Sequence, residues 1–279
     1  MRNTFDQEAI KAFQNVSKVG LVSMMDDNGY PHIAFINTLM AQGETVLTWG
    51  QFIEGLSKEL ILQRPKIGFL AMNRQQELWR GKAQHGHIET TGPVVDLYNQ
   101  KPLFRYNSYF GISKVHFMDL QCVTEKEKLS IGGILKGSLL SLKAAGGAKS
   151  EQDKEIFNSM TMQLLTKFIG IKFISYLDDD GYPWLVPCVQ ARPAGKDRLV
   201  YPMSPFGDEL AKIPEGTKVG LYYLSLDIKT VLVKGVTGPI EKRGGVKCGV
   251  IEVQEVYNPM PPISSRIYPP VPLEKIEEF

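Results

Sequence analysis

The sequence contains the stretch Asp26-Asp27-Asn28-Gly29-Tyr30-Pro31 and repeats it as Asp178-Asp179-Asp180-Gly181-Tyr182-Pro183. Both stretches lie between runs of strand-forming residues. Asp and Asn side chains hydrogen-bond to nearby backbone, Gly adopts positive φ, and Pro opens the outgoing strand where no ladder donor is needed. We therefore predict a β-hairpin turn at each stretch, and the matching contexts predict a duplicated domain.

The duplication keeps its register over most of a domain. An offset of 152 residues, from Gly29 to Gly181, aligns the copies without a gap across turns, strands and a helix. At this offset identical residues meet, in first-copy numbers, at Phe5, Ser23, Gly43, Leu47, Gly55, Lys66 and Gly68. Near Gly81 we expect a two-residue insertion in the second copy, because Arg80-Gly81 matches Lys234-Gly235 best.

The composition indicates an ordinary globular chain. Its 279 residues are enough for two domains of about 120 residues each. A hydrophobic content of 43% with 22% charged residues is unlike that of a disordered chain. A net charge of +2 gives no reason to expect nucleic acid or an anionic membrane, and no apolar run approaches the ~20 residues of a membrane span. With no signal-peptide core visible, we expect a cytoplasmic protein with no nucleic-acid and no membrane partner.

Each copy predicts short antiparallel strands joined by tight turns, with one inserted helix that ends before Arg64-Pro65. This pattern fits a small closed barrel, so the predicted fold class is mainly β with short helices. We expect a first barrel domain at 1–123, a linker at 124–156 with a short helix, a second barrel domain at 157–257, and a proline-rich, largely extended tail at 258–279.

The sequence contains no nucleophile elbow, no Walker loop and no dinucleotide-binding glycine motif. We therefore assign no catalytic residue. The three cysteines, Cys122, Cys188 and Cys248, are far apart and are predicted to be buried small side chains. His85 and His87 share one face of a predicted strand, but no third ligand stands at a companion spacing. We expect a solvated strand face there and no metal site.

One region favours binding of an anion. Thr48-Trp49-Gly50 ends a predicted strand, and Ser57-Lys58 opens the helix that follows. A helix N-terminus with free backbone donors, a hydroxyl and a lysine attracts phosphate, and Trp49 is placed to pack against an aromatic ligand. The alternative is purely structural: Ser57 caps the helix, Lys58 is solvated, and Trp49 belongs to the core.

The order of these elements resembles the pyridoxamine 5′-phosphate oxidase-like, FMN-binding split-barrel family. The resemblance combines the Asp-x-x-Gly-x-Pro-type turn, the strand ending Thr-Trp-Gly, the Ser-Lys helix start, Arg64-Pro65-Lys66-Ile67-Gly68-Phe69, and the long strand Leu78-Trp79-Arg80-Gly81-Lys82-Ala83. It covers residues 5–123 well and 157–256 less well. The family forms six-stranded split barrels, usually homodimeric, with FMN at the dimer interface. The resemblance therefore implies two tandem split barrels that form an intrachain pseudo-dimer.

By position, the resemblance also implies the residues of a flavin site. The ring would lie along the second strand, the third strand would flank the ribityl chain, the helix start would hold the phosphate, and two residues would reach in from long strands. The ring residues would be Phe35, Ile36, Asn37 and Thr38, and the residues beside the ribityl chain Thr48, Trp49 and Gly50. The phosphate residues would be Ser57 and Lys58, and the residues that reach in from long strands Gln76 and Thr230.

The second copy departs from this pattern. Thr48-Trp49-Gly50 becomes Val200-Tyr201-Pro202, and Ser57-Lys58 becomes Glu209-Leu210. A carboxylate in place of a hydroxyl and a lysine repels a phosphate dianion. We expect one competent flavin site per chain, built mainly by the first copy.

The resemblance implies an FMN-binding flavoprotein, with the reaction of an oxidoreductase on an unknown small molecule or redox partner. A non-catalytic flavin electron carrier or sensor is an alternative. A haem-binding split barrel is another, with His116 or His32 as the axial ligand. A barrel pair that has lost its ligand is the last, since fold does not determine function.

Overall fold

A computed structural model describes residues 1–101, 111–152, 154–167, 170–260 and 264–272. The chain divides into two compact units. The first unit contains Met1–Ile131 and Ser175–Leu185, and the second contains Gly132–Ile174 and Val186–Phe279. The hairpin turn of the second copy is therefore grouped with the first unit.

Each copy forms an ordered series of short strands and helices. The first contains α1 (Gln7–Gln14), β1 (Val19–Met25), β2 (Pro31–Phe35), β3 (Met40–Ala41), β4 (Val46–Gln51), α2 (Leu56–Gln63), β5 (Lys66–Met72), β6 (Glu77–Glu89), α3 (Pro93–Gln100), β7 (Lys114–Val123) and β8 (Glu127–Lys128). After α4 (Ile131–Gly146), the second contains α5 (Ser159–Thr166), β9 (Ile171–Leu177), β10 (Pro183–Pro187), β11 (Arg192–Pro193), β12 (Arg198–Pro202), α6 (Gly207–Leu210), β13 (Lys218–Leu224), β14 (Thr230–Thr237), β15 (Glu241–Arg243), β16 (Val246–Asn258) and β17 (Ser265–Tyr268).

The two antiparallel sheets have the same topology. The first sheet has the strand order β2-β1-β5-β6-β7-β4-β3, and the second has β10-β9-β13-β14-β16-β12-β11, which is the same order copy for copy. The prediction of a mainly β chain with two tandem split barrels is confirmed. Among the described residues, no helix is long and apolar enough to cross a membrane.

Both hairpin turns have the predicted chemistry. The Asp26 carboxylate accepts hydrogen bonds from the backbone N–H groups of Asn28 and Tyr30, both at 2.9 Å. Gly29 and Gly181 adopt φ values of 74° and 78°, in the left-handed region that favours glycine. In the second copy the Tyr182 N–H donates to the Asp180 carboxylate at 3.1 Å instead. The turn signals therefore act locally in both copies, with the same glycine conformation but different carboxylates as acceptors.

The ladders correct one detail of the alignment. Met72 pairs with Leu78 across the β5–β6 hairpin, and Leu224 pairs with Thr230 across β13–β14. Both pairs follow the 152-residue offset, so the expected two-residue insertion is absent from this hairpin. The counterpart of Gln76 is Ile228, not Thr230; both have positive φ, 64° and 59°.

Gly81 and Gly235, whose match suggested an insertion, are not equivalent positions, but each packs closely against a carbonyl of the neighbouring strand. A Cβ on Gly81 would lie 2.2 Å from the Cys122 carbonyl oxygen, and one on Gly235 would lie 2.3 Å from that of Glu252. Each glycine lets its strand approach the next at a point where the ladder is irregular. Their similarity therefore reflects close strand approach and not the offset.

The core of the first barrel explains which faces of its strands point inward. Phe5, Phe13 and Phe69 pack together, with ring centroids 5.0–6.0 Å apart. Trp49 and Trp79 are buried in the same cluster. Because side chains alternate along a strand, the burial of Trp49 inside the barrel turns Thr48 and Gly50 to the opposite face of β4.

The predicted linker and tail both contain regular structure. The linker helix is longer than expected and forms α4, whose Ala144 packs in a cluster with Val200 and Cys248 of the second unit. Within the tail, β17 pairs with β16. Residues 261–263 and 273–279 of the predicted tail lie outside the described residues.

Candidate functional site

Three of the predicted site residues meet on the outer face of β4. The Thr38 hydroxyl donates a hydrogen bond to the Gly50 carbonyl at 2.7 Å. The Tyr98 hydroxyl of α3 donates to the Thr38 carbonyl at 2.8 Å and lies 2.8 Å from Thr48 Oγ1. Burial raises the pKa of Tyr98, which keeps the phenol neutral. The surface formed by Thr38, Thr48 and Gly50 is called the β4 wall below.

The segment around α3 covers the β4 wall. Tyr98 is fully buried, and a Cβ on Gly50 would lie 2.4 Å from Ile112 Cδ1 and 3.0 Å from Tyr98 Cδ1. Asn99 joins α3 to Ile112: its side-chain oxygen accepts from the Ile112 N–H at 2.8 Å, and its amide donates to the Ile112 carbonyl at 3.1 Å. A ligand reaches the β4 wall only when Tyr98 and Ile112 move away.

The N-terminus of α2, unlike the β4 wall, has polar groups that lack side-chain partners. Its N-cap residue is Gly55, which provides no side-chain cap, so the first N–H groups of the helix lack a capping side chain. Ser57 is 5% exposed, and within the described part of the chain its hydroxyl makes no hydrogen bond. The alternative reading of Ser57 as the N-cap is therefore wrong, since it lies inside the helix.

Lys58 lies beside these donors. Burial lowers the pKa of its ammonium, while the charge of Glu54 acts in the opposite direction. Among the described residues, the Lys58 ammonium makes no hydrogen bond and no ion pair. The N-terminus of α2 therefore combines helix N–H groups without a capping side chain, a buried hydroxyl and a half-buried cation, which are donors that suit a phosphate group.

A buried histidine network, which the sequence did not indicate, lies close to Lys58. The two ring nitrogens of His116 lie 2.8 Å from Gln51 Oε1 and 3.2 Å from His85 Nε2. The Trp49 ring lies against His116 with a centroid distance of 5.0 Å. Burial, His85 and Lys58 lower the pKa of His116 to about 4, so the imidazole is neutral at pH 7.

The contacts of these histidines disfavour His116 as a haem ligand and do not bring His85 and His87 together as metal ligands. Both nitrogens of His116 are engaged, so neither is available to ligate iron in this arrangement. His87 does not share the environment of His85 but stacks on Phe117, with a centroid distance of 4.6 Å. No group of three or more His, Cys, Asp or Glu residues that could hold a metal ion occurs in the described ranges.

The predicted ring-contact residues of the second strand have unequal environments. Phe35 and Asn37 are half-buried, but Ile36 packs in the barrel core. The Asn37 carbonyl accepts a hydrogen bond from Lys18 Nζ at 3.2 Å, and the Asn15 carbonyl accepts one from the same ammonium at 2.8 Å. Burial lowers the pKa of Lys18 to about 7. The sequence pattern did not single out this lysine.

The two remaining predicted residues are not brought to the β4 wall within their own units. Gln76 lies in the β5–β6 turn, where its carbonyl accepts from the Leu129 N–H, and it lines an open cleft with Arg74 and Lys128. Thr230 begins β14 and is 4% exposed. Their roles toward a cofactor stay predictions.

The second unit differs from the first at the positions that correspond to Ser57 and Lys58. Helix α6 has only four residues, and Leu210, at the position of Lys58, is fully buried. Gln190, the counterpart of Thr38, donates to the Pro202 carbonyl at 2.9 Å. Gly137 of α4 packs against this region: its Cβ would lie 2.4 Å from the Ser204 carbonyl oxygen. The copies therefore differ where the sequence predicted that they would.

No family model matches the sequence, and no curated protein matches it. Three solved structures similar to part of the chain are HupZ of Group A Streptococcus, an FMN-binding protein from Syntrophomonas wolfei, and a proposed pyridoxamine 5′-phosphate oxidase from Lactobacillus delbrueckii. HupZ has 16% identity and a TM-score of 0.35, covering 43% of this chain and 91% of its own. The FMN-binding protein has 14% identity and a TM-score of 0.35, and the match covers 45% of this chain and 90% of its own. The proposed oxidase has 16% identity and a TM-score of 0.35, and the match covers 44% of this chain and 96% of its own. Likeness at this level says nothing about which ligand this chain binds.

Proposed function

We propose that the chain is an FMN-binding flavoprotein with one flavin site, in the first unit, and that it acts as an oxidoreductase. The observation that carries the proposal is the N-terminus of α2. Its backbone donors have no capping side chain, and Ser57 and Lys58 add a hydroxyl and a cation that lack hydrogen-bond partners among the described residues. This combination suits the phosphate of FMN.

The residues do not all fit the flavin in the conformation described. Ser57 and Lys58 fit the phosphate, whereas the β4 wall is covered by Tyr98 and Ile112. The proposal therefore requires that α3 withdraws Tyr98 from Thr48 when the ring approaches the wall. When bound, the flavin supplies the electron chemistry, and the chain supplies position and electrostatics.

The chain's own groups have defined tasks in this proposal. The α2 donors and Lys58 neutralise the phosphate charge. Once Tyr98 leaves, the Thr38 carbonyl loses this donor, and the Thr48 hydroxyl keeps only its longer bond, at 3.4 Å, to the Met40 carbonyl. The polar ribityl chain can provide new partners for both groups. The single site follows from Glu209 and Leu210, which replace Ser57 and Lys58 in the second copy.

Titration of the purified chain with FMN and with riboflavin tests the proposal. We expect one FMN per chain and an absorbance band at about 450 nm, which is typical of bound oxidised flavin. We expect riboflavin to bind more weakly because it lacks the phosphate. Absence of FMN binding, or two equivalent sites per chain, contradicts the proposal. Rapid reduction of the bound flavin by NADH or NADPH in stopped-flow mixing distinguishes a reductase from an electron carrier or sensor.

A further inference from the structure

Helix α4 carries an exposed stripe of large aliphatic side chains. Ile131, Leu135, Leu139 and Leu142 are 63%, 62%, 68% and 44% exposed, and their spacing places them on one face of the helix. From the first to the last the stripe extends about 16 Å along the helix axis. Single exposed leucines are common on protein surfaces, but four in a row on one helix face form a contiguous apolar surface.

The opposite face of α4 fixes the direction of the stripe. Gly137, Ser141 and Ala144 are buried against the second unit. Gly137 is needed for this contact, because a Cβ there would lie 2.4 Å from the Ser204 carbonyl oxygen and 3.0 Å from Gln190 Cβ. Rotation of the helix to bury the stripe would break these contacts. The aliphatic face is therefore held outward.

The charges within the α4 segment all have one sign. Lys136, Lys143 and Lys149 are exposed, and residues 128–150 contain no Asp or Glu. At 100° per residue, Lys136 and Lys143 both stand along one edge of the aliphatic face. The Lys143 ammonium lies beside Gly245, where a Cβ would be 3.7 Å from Nζ. An apolar face bordered by lysines is the arrangement with which amphipathic helices lie on membranes that contain anionic lipid.

We propose that the α4 face docks on the surface of an anionic lipid bilayer, with the aliphatic stripe in the interfacial region and the lysines against lipid phosphates. A second copy of the chain is a less favourable occupant, because self-pairing of this face would bring Lys136 and Lys143 toward like charges with no carboxylate in the segment to offset them. The expectation of no membrane partner rested on the lack of a spanning segment and a small net charge, and surface docking needs neither a span nor a high overall charge.

Vesicle sedimentation of the full chain tests the proposal. The probes are vesicles of phosphatidylcholine alone and vesicles of equal parts phosphatidylcholine and phosphatidylglycerol. We expect the chain to sediment with the anionic vesicles only, and binding to weaken as salt is added. Replacing Lys136 and Lys143 by Gln is expected to reduce the partition coefficient about fivefold per lysine. The double variant Leu135→Ser/Leu139→Ser is expected to reduce it by about tenfold or more.

Leu226→Ser is the matched control, because Leu226 is 84% exposed at a turn of the same unit and lies outside α4. Far-ultraviolet circular dichroism verifies that each variant folds. Failure of the chain to bind anionic vesicles overturns the proposal, as does equal loss of binding in the control. If sedimentation equilibrium without lipid shows self-association that Leu135→Ser/Leu139→Ser abolishes, the face binds a second copy and the proposal is also overturned.

Discussion

The Tyr98 hydroxyl lies 2.8 Å from Thr48 Oγ1 and donates its single proton to the Thr38 carbonyl. The Thr48 hydroxyl therefore has two acceptors within reach, the Tyr98 oxygen at 2.8 Å and the Met40 carbonyl at 3.4 Å, and the shorter distance favours donation to Tyr98. This chain of bonds closes the β4 wall with a side chain from the same unit. Any ligand that uses the wall competes with Tyr98.

Removal of the Tyr98 hydroxyl is expected to lower the stability of the fold and to raise the affinity for FMN. Tyr98→Phe leaves the Thr38 carbonyl and the Thr48 hydroxyl without this partner, at a cost of about 1–3 kcal/mol in the free energy of unfolding. Because the same contacts oppose ligand entry, we expect the variant to bind FMN about tenfold more tightly. Urea unfolding and FMN titration measure the two effects.

Tyr182→Phe is the control for this substitution. Its hydroxyl donates to Gln84 Oε1 at 3.1 Å in an exposed setting, so its loss is expected to change neither quantity measurably. If Tyr98→Phe binds FMN no more tightly than the unaltered chain, Tyr98 does not compete with the ligand for the β4 wall.

The His116 network predicts a loss of stability at mildly acidic pH. The pKa of His116 is lowered from 6.5 to about 4 in the folded chain, chiefly by burial. Between these values the unfolded chain binds more protons, so the free energy of unfolding falls as pH decreases from 6.5 toward 4. His116→Gln is expected to flatten the pH dependence in this window. His87→Gln, on an exposed side chain, is expected to leave it unchanged, and an equally steep profile in both variants would refute the assignment.

Lys82 predicts a second pH effect, at lower pH. Its buried ammonium contacts Asp178 at 2.5 Å and Asp180 at 2.7 Å. Burial opposes ionisation of Asp180, but the bond from Lys82 leaves the pKa of that carboxyl below 3.8. The stabilisation is present above the unfolded pKa and is lost as pH falls through the folded one.

Asp180→Asn is therefore expected to reduce the slope of unfolding free energy against pH below about 4. Lys82→Met is expected to cost about 1–2 kcal/mol at neutral pH, because two partly exposed carboxylates then face each other without a cation. Protonation of the carboxylates should recover part of that loss. A Lys82→Met variant whose deficit grows in acid would contradict this account.

The sequence was sufficient for the fold because its signals are local. Gly29 and Gly181 each need positive φ, and residues at most four positions away complete the turn hydrogen bonds. The cover on the β4 wall was not predictable in this way. Thr48 and Tyr98 are 50 residues apart, and Gln51 and His116 are 65 apart, so these contacts depend on how strands and helices meet.

The proposed anion site was predictable in part. Ser57-Lys58 at a helix start is visible in the sequence. That neither side chain has a hydrogen-bond partner in the described part of the chain is a property of the fold. The assignment of Thr230 depended on matching Gly81 with Gly235, which the ladders do not support. Similar local sequence arose there from similar packing at non-equivalent positions.

The most direct test of the central claim, phosphate binding at the N-terminus of α2, is the affinity of Lys58→Met for FMN and for riboflavin. Loss of one charge-assisted contact to phosphate is expected to weaken FMN binding about tenfold to a hundredfold and to leave riboflavin binding unchanged. Lys11→Met, on the exposed surface of α1, should match the unaltered chain for both ligands. Undiminished FMN affinity in Lys58→Met, or an equal loss for riboflavin, would contradict the account.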